Sequence, residues 1–269
     1  MCGRFVSARK RLELLEEFSI ERDRVADGPD SEPDPDYNVA PTKRVYAVME
    51  RRPRDEKHDQ KHDQERDQEP EQSPARELRV VRWGLVPWWA KDASGGGRLI
   101  NARAETVAVK PSFRNAFARR RCLIPADGYY EWRTIENPAG GKPRKQPYFI
   151  HRADGAGMAF AGLYELWRDA ALPADHPGAW LWTAAIITTR ATDEVGWVHD
   201  RMPMVVKEDL WPDWLDPAPA DADRLLKVMA PATADALETR PVSTAVNSVR
   251  NDGPDLIAPV TEEVGPGIA

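Results

Sequence analysis

From Arg121 to Thr189 the sequence is a succession of strand-like segments, and this most narrows the folds open to it. Arg121 to Pro125, Tyr129 to Ile135, Pro147 to His151, Met158 to Trp167 and Trp180 to Thr189 are rich in β-branched and aromatic residues. A Gly140-Gly141 turn and further Gly and Pro residues separate them. Val45 to Met49 alternates as a strand, Leu78 to Val86 continues the pattern, and Val242 to Val249 reads as a last strand. Helical spacing is confined to residues 8–20 (Leu12, Leu14, Leu15, Phe18), Pro111 to Arg120, Leu210 to Leu215 and Asp223 to Met229. Many strands with few peripheral helices predict an α+β fold around a mainly antiparallel sheet or barrel. Gly95-Gly96-Gly97 reads as a flexible turn, and without a following Lys-Ser/Thr it is no phosphate-binding loop.

A single domain over residues 1–260 is expected, followed by a tail, 261–269. A low-complexity insertion at about 51–77 carries the tandem Lys57-His58-Asp59-Gln60 and Lys61-His62-Asp63-Gln64. It has almost nothing apolar to offset the entropy of ordering, so a disordered hairpin loop is expected rather than a domain boundary. His58 and His62 would hold a metal only on a helix, and no metal or other cofactor is expected. No apolar run approaches the roughly 20 residues needed to span a bilayer, and Ala8-Arg9-Lys10-Arg11 interrupts any signal-peptide core. With two cysteines in 269 residues a disulfide scaffold is not expected. The reading is a cytoplasmic monomer in which Cys122 is a small buried hydrophobe. The net charge of −6 conceals an uneven distribution. Residues 79–133 hold eleven Lys or Arg against four acids, while residues 21–36 hold two Arg against seven acids. The basic stretch is either a solvated face or a local field for a polyanion.

The chain opens Met1-Cys2-Gly3-Arg4-Phe5. Trimming Met1 leaves a residue whose α-amine (pKa about 8) and thiol (about 8.5) lie on adjacent carbons. Such a residue captures aldehydes: the amine condenses to an imine and the thiol closes a five-membered thiazolidine. The alternative is an incidental cysteine on a frayed terminus. Three polar residues within apolar segments are candidate acid–base partners: Asn101 after Leu99-Ile100, Glu131 between Tyr130 and Trp132, and His199 after Gly196-Trp197-Val198. Each has a structural alternative, namely a helix cap, an Arg pair and a satisfied loop histidine. Arg4, Arg103 and Arg201 lie within two residues of Cys2, Asn101 and His199, and Trp88-Trp89 follows Pro87, which presents a ring outward. Arginines for phosphates and aromatic faces for bases suit single-stranded nucleic acid; core packing is the alternative for the tryptophans.

Six ordered motifs carry a resemblance. They are Met1-Cys2-Gly3-Arg4-Phe5, Tyr37-Asn38-Val39-Ala40-Pro41, Trp83-Gly84-Leu85-Val86-Pro87-Trp88-Trp89, Asn101-Ala102-Arg103-Ala104-Glu105-Thr106, Asp127-Gly128-Tyr129-Tyr130-Glu131-Trp132 and His199-Asp200-Arg201-Met202-Pro203. In this order they resemble the SOS-response-associated peptidase (SRAP) family, with Pro241-Val242-Ser243 and Val246-Asn247 as its closing segment. The resemblance implies a barrel-like fold, a groove for single-stranded DNA, and a covalent bond between Cys2 and an abasic deoxyribose that protects the lesion during the DNA damage response. Cys2 would be the nucleophile, with Asn101, Glu131 and His199 as partners. Arg4, Arg103 and Arg201 would hold phosphates, and Pro41 with Trp88 or Trp89 would line the groove. Imine chemistry would make the activity lyase-like, and the family name reflects a proposed self-cleavage that removes Met1. Two rivals are a cysteine peptidase using Cys2 and His199 and a non-catalytic single-strand binding module.

Overall fold

The computed structural model describes residues 2–25, 32–52, 73–136, 141–173, 175–176, 178–219, 224–225 and 237–260. Their strands form two sheets. The smaller contains β1 (Phe5–Ser7), β3 (Asp36–Val39), β8 (Gly128–Ile135), β9 (Arg144–Arg152) and β13 (Leu237–Pro241), in the order β13-β9-β8-β1-β3. The larger contains β2 (Arg22–Asp23), β4 (Arg44–Arg51), β5 (Ala75–Trp83), β6 (Asn101–Arg103), β7 (Arg121–Ala126), β10 (Met158–Arg168), β11 (Trp180–Arg190) and β12 (Arg201–Pro203). Its strands pair antiparallel from β5 through β4, β7 and β10 to β11, which then meets β5 in parallel at Thr183–Arg82 and Ala184–Trp83. That pairing closes five strands into a barrel, which removes the exposed edges an open sheet would leave.

Strand alternation sorts the core into an inside and an outside. Val45, Ala47 and Met49 of β4, Val81 and Trp83 of β5, Cys122 and Ile124 of β7, Phe160 of β10 and Ala184 and Ile186 of β11 pack together inside the barrel. The intervening Tyr46, Val48, Leu78, Leu123, Ala161, Leu163, Ala185 and Ile187 face outward beneath Leu14, Phe18, Phe117 and Trp214. Both faces of the strands are therefore buried, which is why Val45 to Met49 is apolar throughout rather than half polar. The helices supplying that cover are short: Arg11–Glu17, Arg114–Arg119 and Trp211–Leu215. Leu12, assigned by spacing to the first helix's apolar face, is 77% exposed, while Leu14 and Phe18 are buried in the core and Leu15 packs against it.

Several expectations shift. The strand predicted from Leu78 to Val86 begins at Ala75 and ends at Trp83, where Gly84 takes φ +127°. The triple glycine is no flexible turn but lies within a 3-10 helix, Ser94–Arg98. A Cβ on Gly96 would lie 2.7 Å from the Gly84 carbonyl oxygen, so the two backbones meet only as glycines. The helix expected from Pro111 starts at Arg114. Val242 to Val249 is not a strand: Thr244–Asn247 is a 3-10 helix, and the last strand is β13 just before it. Arg51 pairs with Ala75 across the β4–β5 hairpin; residues 53–72, with His58 and His62, lie outside the described residues, as does most of the helix expected over 223–229.

The closing segment is tied down by Asn38, which is fully buried. Its Nδ2 donates to the carbonyls of Val246, Ser248 and Asn251 at 3.3, 2.9 and 2.8 Å, and its Oδ1 accepts from Arg4 Nη1 at 2.6 Å. Asn38→Ala leaves those groups short of a partner at once. It is expected to destabilise the fold by about 3 kcal/mol, measurable as a lower denaturation midpoint. A loss under about 1 kcal/mol would show that the segment holds itself.

Candidate active site

The N-terminal segment enters the barrel end through β1, which lies between β8 and β3 with Phe5 opposite both Tyr129 and Val39. Asp127 anchors its exit, accepting from Ala8 N–H at 2.7 Å and from Arg9 Nε at 3.1 Å. Three contacts fix the chain ahead of Phe5. Asn101 Nδ2 donates to the Cys2 carbonyl at 2.7 Å, Tyr130 N–H donates to the Arg4 carbonyl at 2.9 Å, and Arg4 Nη1 donates to Asn38 and to the Val246 carbonyl. Cys2 is fully buried in the barrel's inner cluster, its Sγ 4.0 Å from the Arg4 carbonyl oxygen. It is not a frayed terminus.

Glu131 reaches the same place by strand parity. Tyr129 and Glu131 are two apart on β8 and share the face toward the barrel, while Tyr130 packs into the cluster on the other face. A Cβ on Gly128 would meet the Phe149 ring at 2.4 Å, so glycine lets β8 approach β9 closely enough to keep this register. Burial pushes the Cys2 thiol well above its ordinary pKa, and the nearby Glu131 carboxylate pushes it further. Glu131 is itself buried.

Asn101 is no helix cap. It opens β6, which pairs parallel with β11 (Asn101–Ile186, Arg103–Thr188). Its Nδ2 holds Cys2, and its Oδ1 is buried without a partner among the described residues. Two residues along the same face, roughly 7 Å away, stands Arg103. Arg103 lines a cavity of about 500 Å³ with Glu105, Arg190, His199, Asp200 and Arg201. His199 sits between the helix Asp193–Gly196 and β12; its Nδ1 accepts from Arg201 N–H at 3.0 Å and lies 3.0 Å from Asp200 Oδ1. Arg201 is held by Glu105, whose Oε2 lies 3.0 Å from Nη2, and by the Thr188 carbonyl at 2.6 Å. That hydrogen bond from Arg201 holds the Glu105 carboxyl below its usual range. The cavity thus sets three arginines and a histidine against two acids, a polarity suited to an anion.

The other predicted residues spread more widely. Trp88 and Trp89 are 59% and 54% exposed after the Pro87 turn, as expected. Trp88 lines a second cavity, of about 640 Å³, with Arg51, Arg119, Arg120 and Trp180. Pro41 lies half-buried between β3 and β4. Arg4 has Nη1 committed to the fold, and burial lowers its pKa. The basic stretch is not one face. Arg121 is buried and caps the carbonyls of Phe117 and Trp214 at 2.9 and 2.8 Å, and Arg120 pairs with Glu165 at 2.9 Å. Sequence reasoning passed over Glu105, Arg190 and Thr188. Glu105 could have been found from its place in the Asn101–Thr106 motif; Arg190 and Thr188 carry no local signal. Among the described residues no group of three or more His, Cys, Asp or Glu is placed to hold a metal, and no helix is long and apolar enough to cross a membrane.

Known proteins share the sequence pattern and the fold. A relative in Bacillus subtilis (strain 168), abasic site processing protein YoqW, is 36% identical over 257 residues, covering 96% of this chain and 99% of that protein. Abasic site processing protein YedK of Escherichia coli (strain K12) is 32% identical over 265 residues, covering 97% of this chain and all of YedK. A crystal structure of a Bacteroides thetaiotaomicron protein shares the fold, with a TM-score of 0.73 at 22% identity over 97% of this chain and 100% of that one. Residues 1–249 match the family model described as SOS response associated peptidase (SRAP). The chain belongs to the SRAP family.

Proposed function

We propose that this protein processes abasic sites in DNA by capturing the open aldehyde of the sugar on Cys2, once Met1 is removed. The observation that carries the reading is the placement of Cys2, buried with its carbonyl held by Asn101 and its thiol raised by the charge of the buried Glu131. Relatives at 32 to 36% identity over nearly the whole chain bear the name abasic site processing protein.

The chemistry follows from the groups present. His199 moves a proton at the sugar oxygen as the closed hemiacetal opens. The Cys2 amine adds to C1′, and Glu131 relays protons as water leaves to form the imine. The thiol then adds to the imine carbon, giving a thiazolidine. Asn101 keeps the terminus in place. Arg103 and Arg201 hold phosphates of a single strand, which stacks on Trp88 or Trp89. The peptidase rival needs a thiolate at neutral pH, and reactive cysteines of that kind are electropositive and partly exposed. Cys2 is enclosed and its thiol is raised by burial and by a carboxylate, which suits an amine that reacts first and a thiol that follows. The test is incubation with single-stranded DNA bearing one abasic site, read on a denaturing gel. A conjugate that survives denaturation supports capture; salt-sensitive binding without one makes the protein a binding module.

Glu105 competes with phosphate for Arg201. Glu105→Gln is expected to tighten single-strand binding about threefold and to steepen the dependence of log K on log salt by about 0.7, one phosphate contact. Weaker binding in the variant would mean that Glu105 positions Arg201 instead.

A further inference from the structure

Tyr129 is fully buried, and its hydroxyl has no hydrogen-bond partner among the described residues. Buried hydroxyls normally find one, because leaving a donor unpaired costs stability. The position of this one is set from three sides. Its backbone is opposite Phe5 on β1, three residues from Cys2; its ring packs edge-on against Phe160 inside the barrel at 6.2 Å; and it shares the β8 face with Glu131. Tyr129 and Cys2 belong to the same packed cluster. We propose that the Tyr129 hydroxyl donates a hydrogen bond to the Cys2 sulfur as the thiol adds to the imine carbon, which makes Tyr129 a catalytic residue for ring closure. This rests on the capture reaction proposed above.

The step balances without an outside reagent. The sulfur lone pair forms the C–S bond, the C=N π pair moves onto nitrogen, and the thiol proton travels to that nitrogen through Glu131. While Glu131 holds that proton the sulfur carries negative charge in a fully buried site. A neutral donor fits this need better than a cation, since it stabilises the passing anion without lowering the resting thiol's pKa enough to consume it in side reactions. Burial first, then the charges of Cys2 and Glu131, raise the Tyr129 phenol far above its usual pKa, so it stays a donor throughout.

Tyr129→Phe removes the hydroxyl alone, and because that group has no partner the variant should melt at the same temperature or higher. Two rates are read on abasic single-stranded DNA: conjugate formed under a hydride reagent, which reports the imine, and conjugate stable without it, which reports the thiazolidine. The expected result is an unchanged first rate and a second slower by about 10- to 100-fold, the worth of a hydrogen bond to a charged group. An unchanged second rate, or an equal fall in both, overturns the role of Tyr129. Absence of any conjugate with the unsubstituted protein overturns the capture reaction, and this inference with it.

Discussion

Cys2→Ala is expected to form no conjugate that survives denaturation, while its salt-sensitive binding to single-stranded DNA persists. The reasoning separates the two heteroatoms of the terminus. Alanine at position 2 keeps an α-amine after Met1 removal, so the imine still forms and still hydrolyses. Only the thiol converts it into a ring. A hydride reagent added during incubation should therefore restore a conjugate in Cys2→Ala, because reduction traps the imine as a stable amine. The fold should survive: Cys2 is buried among aliphatic and aromatic neighbours, and its loss leaves a cavity of one sulfur atom. A stable conjugate in Cys2→Ala without hydride would move the reaction to another residue.

Glu131→Gln carries the second large effect. The substitution keeps the shape of the side chain and removes its charge. Proton relays of this kind contribute roughly 10²-fold or more, so capture should slow by about two orders of magnitude. Binding should change less than twofold, because Glu131 faces the barrel end rather than the arginine-lined cavity. The Cys2 thiol would become more acidic in the variant, since one of the two causes raising it is gone, although burial, the larger one, remains. Slower capture despite a more acidic thiol would identify proton transfer, not thiolate supply, as what Glu131 provides. Equal losses in rate and affinity would remove Glu131 from the chemistry.

The fold class was legible because period-2 patterning is local: β7, β8, β10 and β11 lie within two residues of where alternation and turn residues placed them. Closure of the barrel was not legible, since the parallel contact of β11 with β5 joins residues about a hundred positions apart and leaves no local mark. β1, β3, β6 and β12 are three or four residues long, too short for a period to register, yet they carry or flank Arg4, Asn38, Asn101 and Arg201. β13 was displaced from its expected place because Val242 and Val246 are apolar for a different reason: they pack with Tyr130 and Phe149, Val242 at a bridge to Pro259 and Val246 on the 3-10 helix. Of the candidate site, Cys2 was visible from its place after Met1 and Asn101 and Glu131 as polar groups in apolar surroundings; Asn101 holds the Cys2 carbonyl and the Glu131 charge raises the Cys2 thiol. Arg4 also ties the terminus to Asn38 through its Nη1. That use could not be foreseen, because the partner is 34 residues away in sequence.

The central claim is that both heteroatoms of an unblocked Cys2 bond to one sugar carbon. Intact mass of the conjugate, isolated without reductant and alkylated with iodoacetamide under denaturing conditions, measures this directly: the isomeric imine would take a label at Cys2 as well as at Cys122, whereas the ring leaves only Cys122 to be labelled. The expected mass is that of the chain lacking Met1 plus the abasic oligonucleotide and one label, less one water, with the oligonucleotide mapping to Cys2 after proteolysis. A conjugate that retains Met1 or takes a label at Cys2, or an oligonucleotide that maps to any other residue, would contradict the account.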